Sequence, residues 1–179
     1  MLLKIRNILN FLYLKLFGAE KYARKIGVEI GRGCRIYTAE WGSEPYLITL
    51  GDKVTVSKGV IFITHDGAPW IFENSDGRYY KYAAITIGNN VFIGMNSILM
   101  PGINIGNNVI IGSGSVVTKS LNNNAVYAGN PAIKICDIDK YRNKVMERFC
   151  HSASYINILN KKERILAMVS DYKRKTNVS

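Results

Sequence analysis

The sequence repeats itself between residues 87 and 122, and this repeat limits the possible fold more than any other feature. Residues 87–104 read IGNNVFIGMNSILMPGIN and residues 105–122 read IGNNVIIGSGSVVTKSLN, so a shift of 18 residues preserves much of the pattern. A finer period of six lies inside each copy. Aliphatic residues begin the hexads at Ile87, Ile93, Leu99, Ile105, Ile111 and Val117. Small or aliphatic residues follow four positions later, at Val91, Ser97, Ile103, Val109 and Ser115.

A period of six is incompatible with an α-helix. Six residues do not return to the same helical face, and glycine at this density destabilises a helix. The pattern instead predicts a coil with three flat faces, in which each hexad is a short strand followed by a corner. Both apolar sets point into the core, and Gly or Asn occupies corner positions where a positive φ is needed. Three hexads complete one turn, and successive turns stack as parallel strands.

The repeat divides the chain into three regions. The β-helix covers residues 26–135 and contains a loop insertion at 67–84, after a shorter interruption near residue 40. Residues 1–25 are predicted to form an amphipathic helix, because aliphatic residues recur at steps of three and four, namely Leu2, Ile5, Leu9, Leu12 and Leu16. We interpret this helix as a cap on the open end of the coil, with docking on a membrane surface as the alternative. Residues 136–179 predict a C-terminal helical extension.

Composition sets outer limits on function. The 179 residues suit one domain, and a hydrophobic share of 47% excludes wholesale disorder. The net charge of +11 suggests an anionic partner, yet residues 26–136 contribute only +1 of it, and no nucleic-acid-binding motif is present. Three cysteines are too few for a disulfide scaffold. Without a signal peptide or a membrane-spanning run, the sequence predicts a cytoplasmic protein, with the inner membrane surface as a further location.

The run from Ile87 to Ser120 and the following AGNPA at residues 128–132 resemble the hexapeptide-repeat acyltransferases, in particular the galactoside, maltose and polysaccharide O-acetyltransferase branch. The resemblance covers about residues 26–135. It implies a mainly β fold, a left-handed parallel β-helix with helical flanks at both ends. It also implies a homotrimer that binds acetyl-CoA between adjacent subunits and uses no metal. The expected reaction moves the acetyl group to a sugar hydroxyl, in the biosynthesis of a surface polysaccharide such as O-antigen or capsule.

The resemblance assigns the general base to His65, at the end of a coil where the long loop begins. The chemistry agrees with this assignment, because imidazole can take the acceptor's hydroxyl proton during attack on the thioester. A second group has to orient the imidazole through its other nitrogen. Asp66 and Glu40 are the two candidates for this partner, and the sequence does not choose between them. The sequence does not identify an oxyanion donor, which we expect to be a backbone N–H.

The donor-binding residues are transferred by position from the family, and the acceptor-binding residues are taken from the two interruptions of the repeat. The predicted donor-binding residues are Phe92, Met95, Ser113, Thr118, Lys119 and Lys134. Relatives have a small polar residue at the position of Met95 and often have Trp at that of Phe92. The predicted acceptor-binding residues are Glu40, Trp41, Trp70, Tyr79 and Tyr80, since aromatic faces stack on sugar rings.

Other functions are compatible with parts of the pattern. The acceptor is alternatively an antibiotic or an amino sugar, and a non-catalytic β-helix scaffold is a different class of function. A zinc hydratase with this fold needs three His ligands. Only His65 and His151 are present, so one chain cannot supply such a site.

Overall fold

A computed structural model of the chain describes residues 2–72 and 74–176. It divides into two compact units, residues 1–138 and residues 139–179. The described helices are α1 (Leu2–Lys25), α2 (Ile138–Arg148) and α3 (Lys161–Thr176), with 3₁₀ turns at Pro45–Leu47, Ala68–Phe72 and Ser152–Tyr155.

The described strands are short and all lie in the first unit. In chain order they are β1 (Glu29–Ile30), β2 (Arg35–Ile36), β3 (Ile48–Leu50), β4 (Thr55–Val56), β5 (Ile61–Phe62), β6 (His65–Asp66), β7 (Lys81–Tyr82), β8 (Ile85–Ile87), β9 (Val91–Ile93), β10 (Ile98–Leu99), β11 (Asn104–Ile105), β12 (Val109–Ile111), β13 (Val116–Val117), β14 (Ala125–Ala128) and β15 (Ile133–Asp137).

Three sheets form the faces of the coil. The first face has the order β1-β3-β8-β11, the second β15-β14-β12-β9-β4-β2, and the third β13-β10-β5. Every pairing within these faces is parallel except that of β14 with β15, where the chain turns back antiparallel. Strands β6 and β7 form a separate antiparallel hairpin inside the loop insertion.

The register confirms the parallel coil expected from the repeat. Ile87 pairs with Ile105 and Ile93 pairs with Ile111, each one copy of 18 residues apart. The hexad aliphatics are buried, and Ser97 and Ser115 are also fully buried. These two hydroxyls donate to the carbonyls of Gly94 and Gly112, which satisfies them inside the core.

The faces meet at three corners that recur in each coil. The first corner, between the first and second faces, comprises residues 31–34, 51–54, 88–90, 106–108 and 122–124. The second corner, between the second and third faces, comprises residues 57–60, 94–97 and 112–115. The third corner, between the third and first faces, comprises residues 63–65, 83–84, 100–103 and 118–120.

Asparagine shapes the first corner. Asn90, Asn108 and Asn124 have φ values of 56°, 55° and 58°, a left-handed conformation that Asn tolerates better than most residues. The side-chain amide of Asn90 donates to Asn108, and that of Asn108 donates to Asn124, each at 2.8 Å. The repeated Asn therefore meets a backbone requirement and also links successive coils.

Helix α1 is kinked at Gly18, which has φ 83° and ψ 169°. Beyond the kink, Ala23 is buried in the core of the first unit, and Arg24 donates to the carbonyl oxygens of Ile30 and Gly31. The last turns of α1 thus pack on the first coil. Within the described residues, no helix has the length and hydropathy required to span a membrane.

Candidate active site

His65 lies at the third corner, where the chain leaves the coil and enters the loop insertion. Its Nδ1 is 3.0 Å from Oε2 of Glu44, a residue of the preceding coil. The His65 side chain is 41% exposed, whereas that of Glu44 is only 14% exposed. The carboxylate therefore lies behind the imidazole, and with Nδ1–H donating to Glu44, Nε2 is left as the proton acceptor.

Thr64 holds the Glu44 carboxylate in place through a hydrogen bond. Its hydroxyl is buried with the side chain and donates to the same Glu44 oxygen at 2.6 Å. The hydrogen bond from Thr64 is the largest cause that lowers the pKa of Glu44 below its ordinary value of 4.5, and the neighbouring His65 adds to it. Glu44 is consequently a carboxylate at neutral pH, as orienting an imidazole requires.

The structure corrects the predicted partner of His65. Asp66 is the next residue along β6 and also lines the cleft that contains His65. Its Oδ1 accepts from the backbone N–H of Ala68 at 3.0 Å and so shapes the start of the loop. Glu40, the alternative, lines a different groove of the first unit. The carboxylate beside the imidazole is that of Glu44.

The loop insertion forms an aromatic cleft around His65. The cleft has a volume of about 250 Å³, and its lining includes Trp70, Tyr79, Tyr80, Tyr82 and Arg78. The Tyr82 ring lies 5.7 Å from the imidazole and is stacked on Tyr80 at 6.1 Å. The Arg78 guanidinium lies 4.4 Å from the centre of the Trp70 ring. Three of the predicted acceptor-binding residues, namely Trp70, Tyr79 and Tyr80, thus come together with His65.

Trp41 does not belong to this cleft. It is only 2% exposed and stacks on Phe62 with ring centres 4.9 Å apart, so it fills the core of the first coil. Within the described part of the chain its buried Nε1 has no hydrogen-bond partner. Burial of the ring excludes direct contact with an acceptor, which corrects the predicted role of Trp41.

Four of the six predicted donor-binding residues fall on two edges of the coil. Met95 and Ser113 are exposed at the second corner, one copy of the repeat apart, and the carbonyl of Met95 accepts from Gly114 N–H. Thr118 and Lys119 lie at the third corner, on the same edge as His65. Phe92 points outward from the second face and is 42% exposed.

The second corner leaves space for an extended ligand. A groove of about 530 Å³ runs past Met95, Glu40 and Lys58. A Cβ on Gly94 would lie 2.4 Å from the backbone nitrogen of Ser113, so glycine is required there for the coils to stack. A Cβ on Gly114 would meet no atom within 4 Å, which shows that the backbone is bare at this point.

Lys134 is already paired within its own chain. Its Nζ lies 2.6 Å from Oδ1 of Asp137, and this hydrogen bond raises the pKa of the lysine. Both side chains are exposed, so the pair is open to solvent. A phosphate near Lys134 would have to share this cation with Asp137.

Two residues beside His65 could have been found from the coil length. The spacing from Ile30 to Leu50 is 20 residues in the early coils, and 20 residues after Glu44 comes Thr64. Residues one coil apart stack on each other, so this spacing predicts the contact. Nothing in the sequence marks Arg78 or Tyr82 as neighbours of Trp70 and His65, because the loop does not follow the repeat.

Comparisons with known proteins indicate the family of this chain. The family model described as bacterial transferase hexapeptide (six repeats) matches residues 84–119. The chain is 46% identical to protein CapG of Staphylococcus aureus over 168 residues, which cover 90% of this chain and 95% of that protein. It is 40% identical to the galactoside O-acetyltransferase of Escherichia coli over 97 residues, 54% of this chain and 47% of the relative, about half of its length.

A solved structure supports the fold. The structure of a galactoside acetyltransferase in complex with coenzyme A matches with a TM-score of 0.55 at 23% identity, covering 78% of this chain and 82% of that one. At that identity the match supports the architecture alone, a left-handed parallel β-helix, as expected from the sequence. The 46% identity to CapG over nine tenths of the sequence and the match to the hexapeptide family model show that the chain belongs to the hexapeptide-repeat acetyltransferases.

Proposed function

We propose that this acetyltransferase moves the acetyl group of acetyl-CoA to a hydroxyl group of a sugar, in the synthesis of a surface polysaccharide such as O-antigen or capsule. The observation that carries the proposal is the pair of His65 and Glu44, which opens into a cleft lined by aromatic rings. The similarity to a galactoside O-acetyltransferase favours transfer to a hydroxyl group. The aromatic lining favours a sugar, whose apolar ring faces stack on aromatic side chains.

In the proposed mechanism His65 takes a proton from the acceptor and then passes it to the leaving group. Acetyl-CoA supplies an acetyl group bound as a thioester. Nε2 of His65 takes the proton of the acceptor hydroxyl while its oxygen bonds to the acetyl carbon, and the same nitrogen returns the proton to the sulfur as the carbon–sulfur bond breaks. Glu44 holds the ring in the required tautomer and stabilises the imidazolium between these two transfers. Thr64 keeps Glu44 ionised and in position.

We further propose that two protomers of a homotrimer share each donor site. Met95 and Ser113 lie at the second corner, whereas His65, Thr118 and Lys119 lie at the third. Different edges of one coil do not face each other, so a donor that reaches both sets has to lie between the second corner of one copy and the third corner of another. The bare backbone at Gly114 and the groove beside Met95 fit the extended arm of the donor.

The outward side chains support assembly through the second and third faces. The first face presents polar side chains, namely Glu29, Thr49, Thr86 and Asn104. The third face presents Ile61, Ile98 and Val116 in register, and Ile61 is 41% exposed. The second face adds Phe92 and Ile110. An apolar column of this kind is typical of a surface that another subunit covers.

The proposal is tested by measuring acetyl-CoA consumption with a panel of sugars, nucleotide sugars and polysaccharides, and with a hydroxylated antibiotic for the alternative acceptor. His65→Ala should lower turnover by about 10²- to 10⁴-fold on the accepted substrate, while CoA binding by calorimetry is retained. His151→Ala is the matched control, because His151 lies in the second unit and accepts from Ala153 N–H. Unchanged turnover of His65→Ala contradicts the mechanism. No turnover on any acceptor and no CoA binding would favour a scaffold.

The proposed place of action is the cytoplasm, where acetyl-CoA is made. A sugar acceptor in polysaccharide synthesis is either soluble or attached to a lipid at the inner membrane surface, and the panel includes both forms. Turnover only on a lipid-linked acceptor would assign the enzyme to that surface.

A further inference from the structure

The second unit has many apolar side chains and little core. Among the described residues 139–176, Tyr155 is the one side chain that is buried. Helix α3 carries Ile165, Met168, Val169 and Tyr172, which recur at steps of three and four and therefore form one stripe along the helix. Ile165 and Val169 are nearly half exposed. We call these four residues the α3 stripe.

A groove extends the α3 stripe toward the residues that follow α2. It has a volume of about 360 Å³ and is lined by the stripe together with Phe149 and Cys150. The Phe149 ring meets Tyr172 edge-on, with ring centres 6.0 Å apart. The apolar surface is therefore a continuous patch, and such a patch on a polar helix marks a binding surface.

Basic residues surround the patch. Residues 139–179 contain ten basic and four acidic side chains, a net charge of +6. Lys162 and Lys173 lie on the same flank of the α3 stripe at 3.6 residues per turn, and Lys161 lies at its start. Within the described residues these three lysines are exposed and form no ion pair. Their charge is thus available to a partner.

We propose that the α3 stripe docks on a membrane surface that contains anionic lipids. An amphipathic helix with an apolar stripe and flanking lysines lies in the plane of the interface, where the stripe enters the acyl boundary and the lysines meet the headgroups. A second copy of the same unit fits less well, because it brings another charge of +6 against the first. The contact is peripheral and holds the second unit at the surface.

The test is co-sedimentation of the full chain with vesicles. We expect binding to vesicles of phosphatidylglycerol mixed with phosphatidylcholine, little binding to pure phosphatidylcholine, and weakening at high salt. The double variant Lys162→Glu/Lys173→Glu should lower the partition coefficient by about tenfold or more. Ile165→Ser/Val169→Ser should also lower it, because it removes apolar area from the stripe. The four substituted side chains are exposed, so both double variants should remain folded. Circular dichroism checks this.

The charge-matched control is Lys140→Glu/Lys144→Glu on α2, two exposed lysines outside the stripe. It removes the same charge from the unit and should retain most of the binding. Equal loss in both lysine pairs, equal binding to neutral and anionic vesicles, or no binding to anionic vesicles would each overturn the proposal. A change of oligomeric state in Ile165→Ser/Val169→Ser without vesicle binding by the wild type would instead assign the stripe to a second copy.

Discussion

At the scale of single residues, the proposed active site depends on a contact between neighbouring coils. Glu44 and His65 are 21 residues apart in the sequence but are 3.0 Å apart in space, because stacking places residues of one coil on those of the next. The proposed catalytic pair therefore depends on correct stacking of the first two coils. A shift of register there would separate the carboxylate from the imidazole.

The first prediction concerns Glu44. Glu44→Gln should lower turnover by about tenfold to a hundredfold, a smaller loss than His65→Ala, because the amide oxygen still accepts from Nδ1–H but carries no charge. The KM for acetyl-CoA should remain close to wild type, since Glu44 lies behind the imidazole. Asp66→Asn is the matched control, and an equal loss in the control would show that Asp66 takes part in the reaction.

The second prediction concerns Thr64 and acid stability. The folded-state pKa of Glu44 is lowered, so its ionisation stabilises the native protein above its ordinary value of 4.5, and this contribution is lost as the pH falls through the lowered pKa. Thr64→Val removes the main cause of the shift. The loss of unfolding free energy between about pH 6 and about pH 3 should thus be smaller in Thr64→Val than in the wild type.

Urea unfolding at several pH values measures this difference. Thr64→Ser keeps the hydroxyl and should follow the wild-type profile, which separates the hydrogen bond from the packing of the buried side chain. Identical pH profiles for Thr64→Val and the wild type would show that Thr64 does not control Glu44.

The sequence predicts the base better than its partner. His65 is recognisable because it ends a coil before a long loop, whereas the sequence leaves Asp66 and Glu40 both open as its partner. Glu44 is 21 residues away along the chain and reaches the imidazole through the stacking of coils, which proximity in the sequence does not indicate. Trp41 misleads for a different reason: it lies in an interruption of the repeat, yet it continues the inward column and stacks on Phe62.

At the scale of the elements, the same Asn conformation and hydrogen bonds recur at the first corner of successive coils. Asn108 has φ 55°, and its side chain both accepts from Asn90 and donates to Asn124. Gly keeps this conformation but loses the side-chain ladder, and Ala loses both. Comparing Gly and Ala at position 108 therefore separates the contribution of the backbone conformation to stability from that of the side-chain hydrogen bonds.

The third prediction uses this position. Asn108→Ala should lower the free energy of unfolding by about 1–3 kcal/mol, and Asn108→Gly should cost less because Gly adopts a positive φ without strain. Denaturant unfolding measures both variants. A larger loss in the Gly variant than in the Ala variant would show that the conformation at this corner is not the controlling factor.

The repeat itself could be predicted almost entirely from the sequence, and the loop could not. Ile87, Ile93 and Leu99 are buried where the hexads predict, because each inward position has the same environment in every coil. The loop insertion has no such periodicity. Its cleft forms through ring contacts such as Tyr80 with Tyr82, which no spacing rule specifies.

At the scale of the whole molecule, the proposed trimer makes each site from two copies. The edge with His65 and the edge with Ser113 belong to different corners. Two inactive variants with damage on different edges should then restore activity in mixed trimers, because one interface in each mixed trimer combines both intact edges.

The fourth prediction is this complementation. His65→Ala and Ser113→Trp should each be inactive alone, since the first lacks the proposed base and the second places a bulky ring at the exposed second corner, where we propose that the donor lies. Co-assembled in equal amounts, they should recover about a quarter of wild-type turnover, because random cyclic trimers keep one intact site in each mixed assembly. Two His65→Ala chains with different tags serve as the control. No recovery in confirmed mixed trimers would mean that one protomer holds the whole site.

Because the coils stack as parallel strands, the length of the β-helix increases by one fixed strand spacing with each coil. Residues 87–104 form one complete turn, so they begin and end at the same point of the repeat. Duplication of this segment would lengthen the coil by one strand spacing, about 4.8 Å, and leave every face and corner unchanged. Each such duplication would therefore increase the distance from His65 to the C-terminal end of the coil by one whole step of that size.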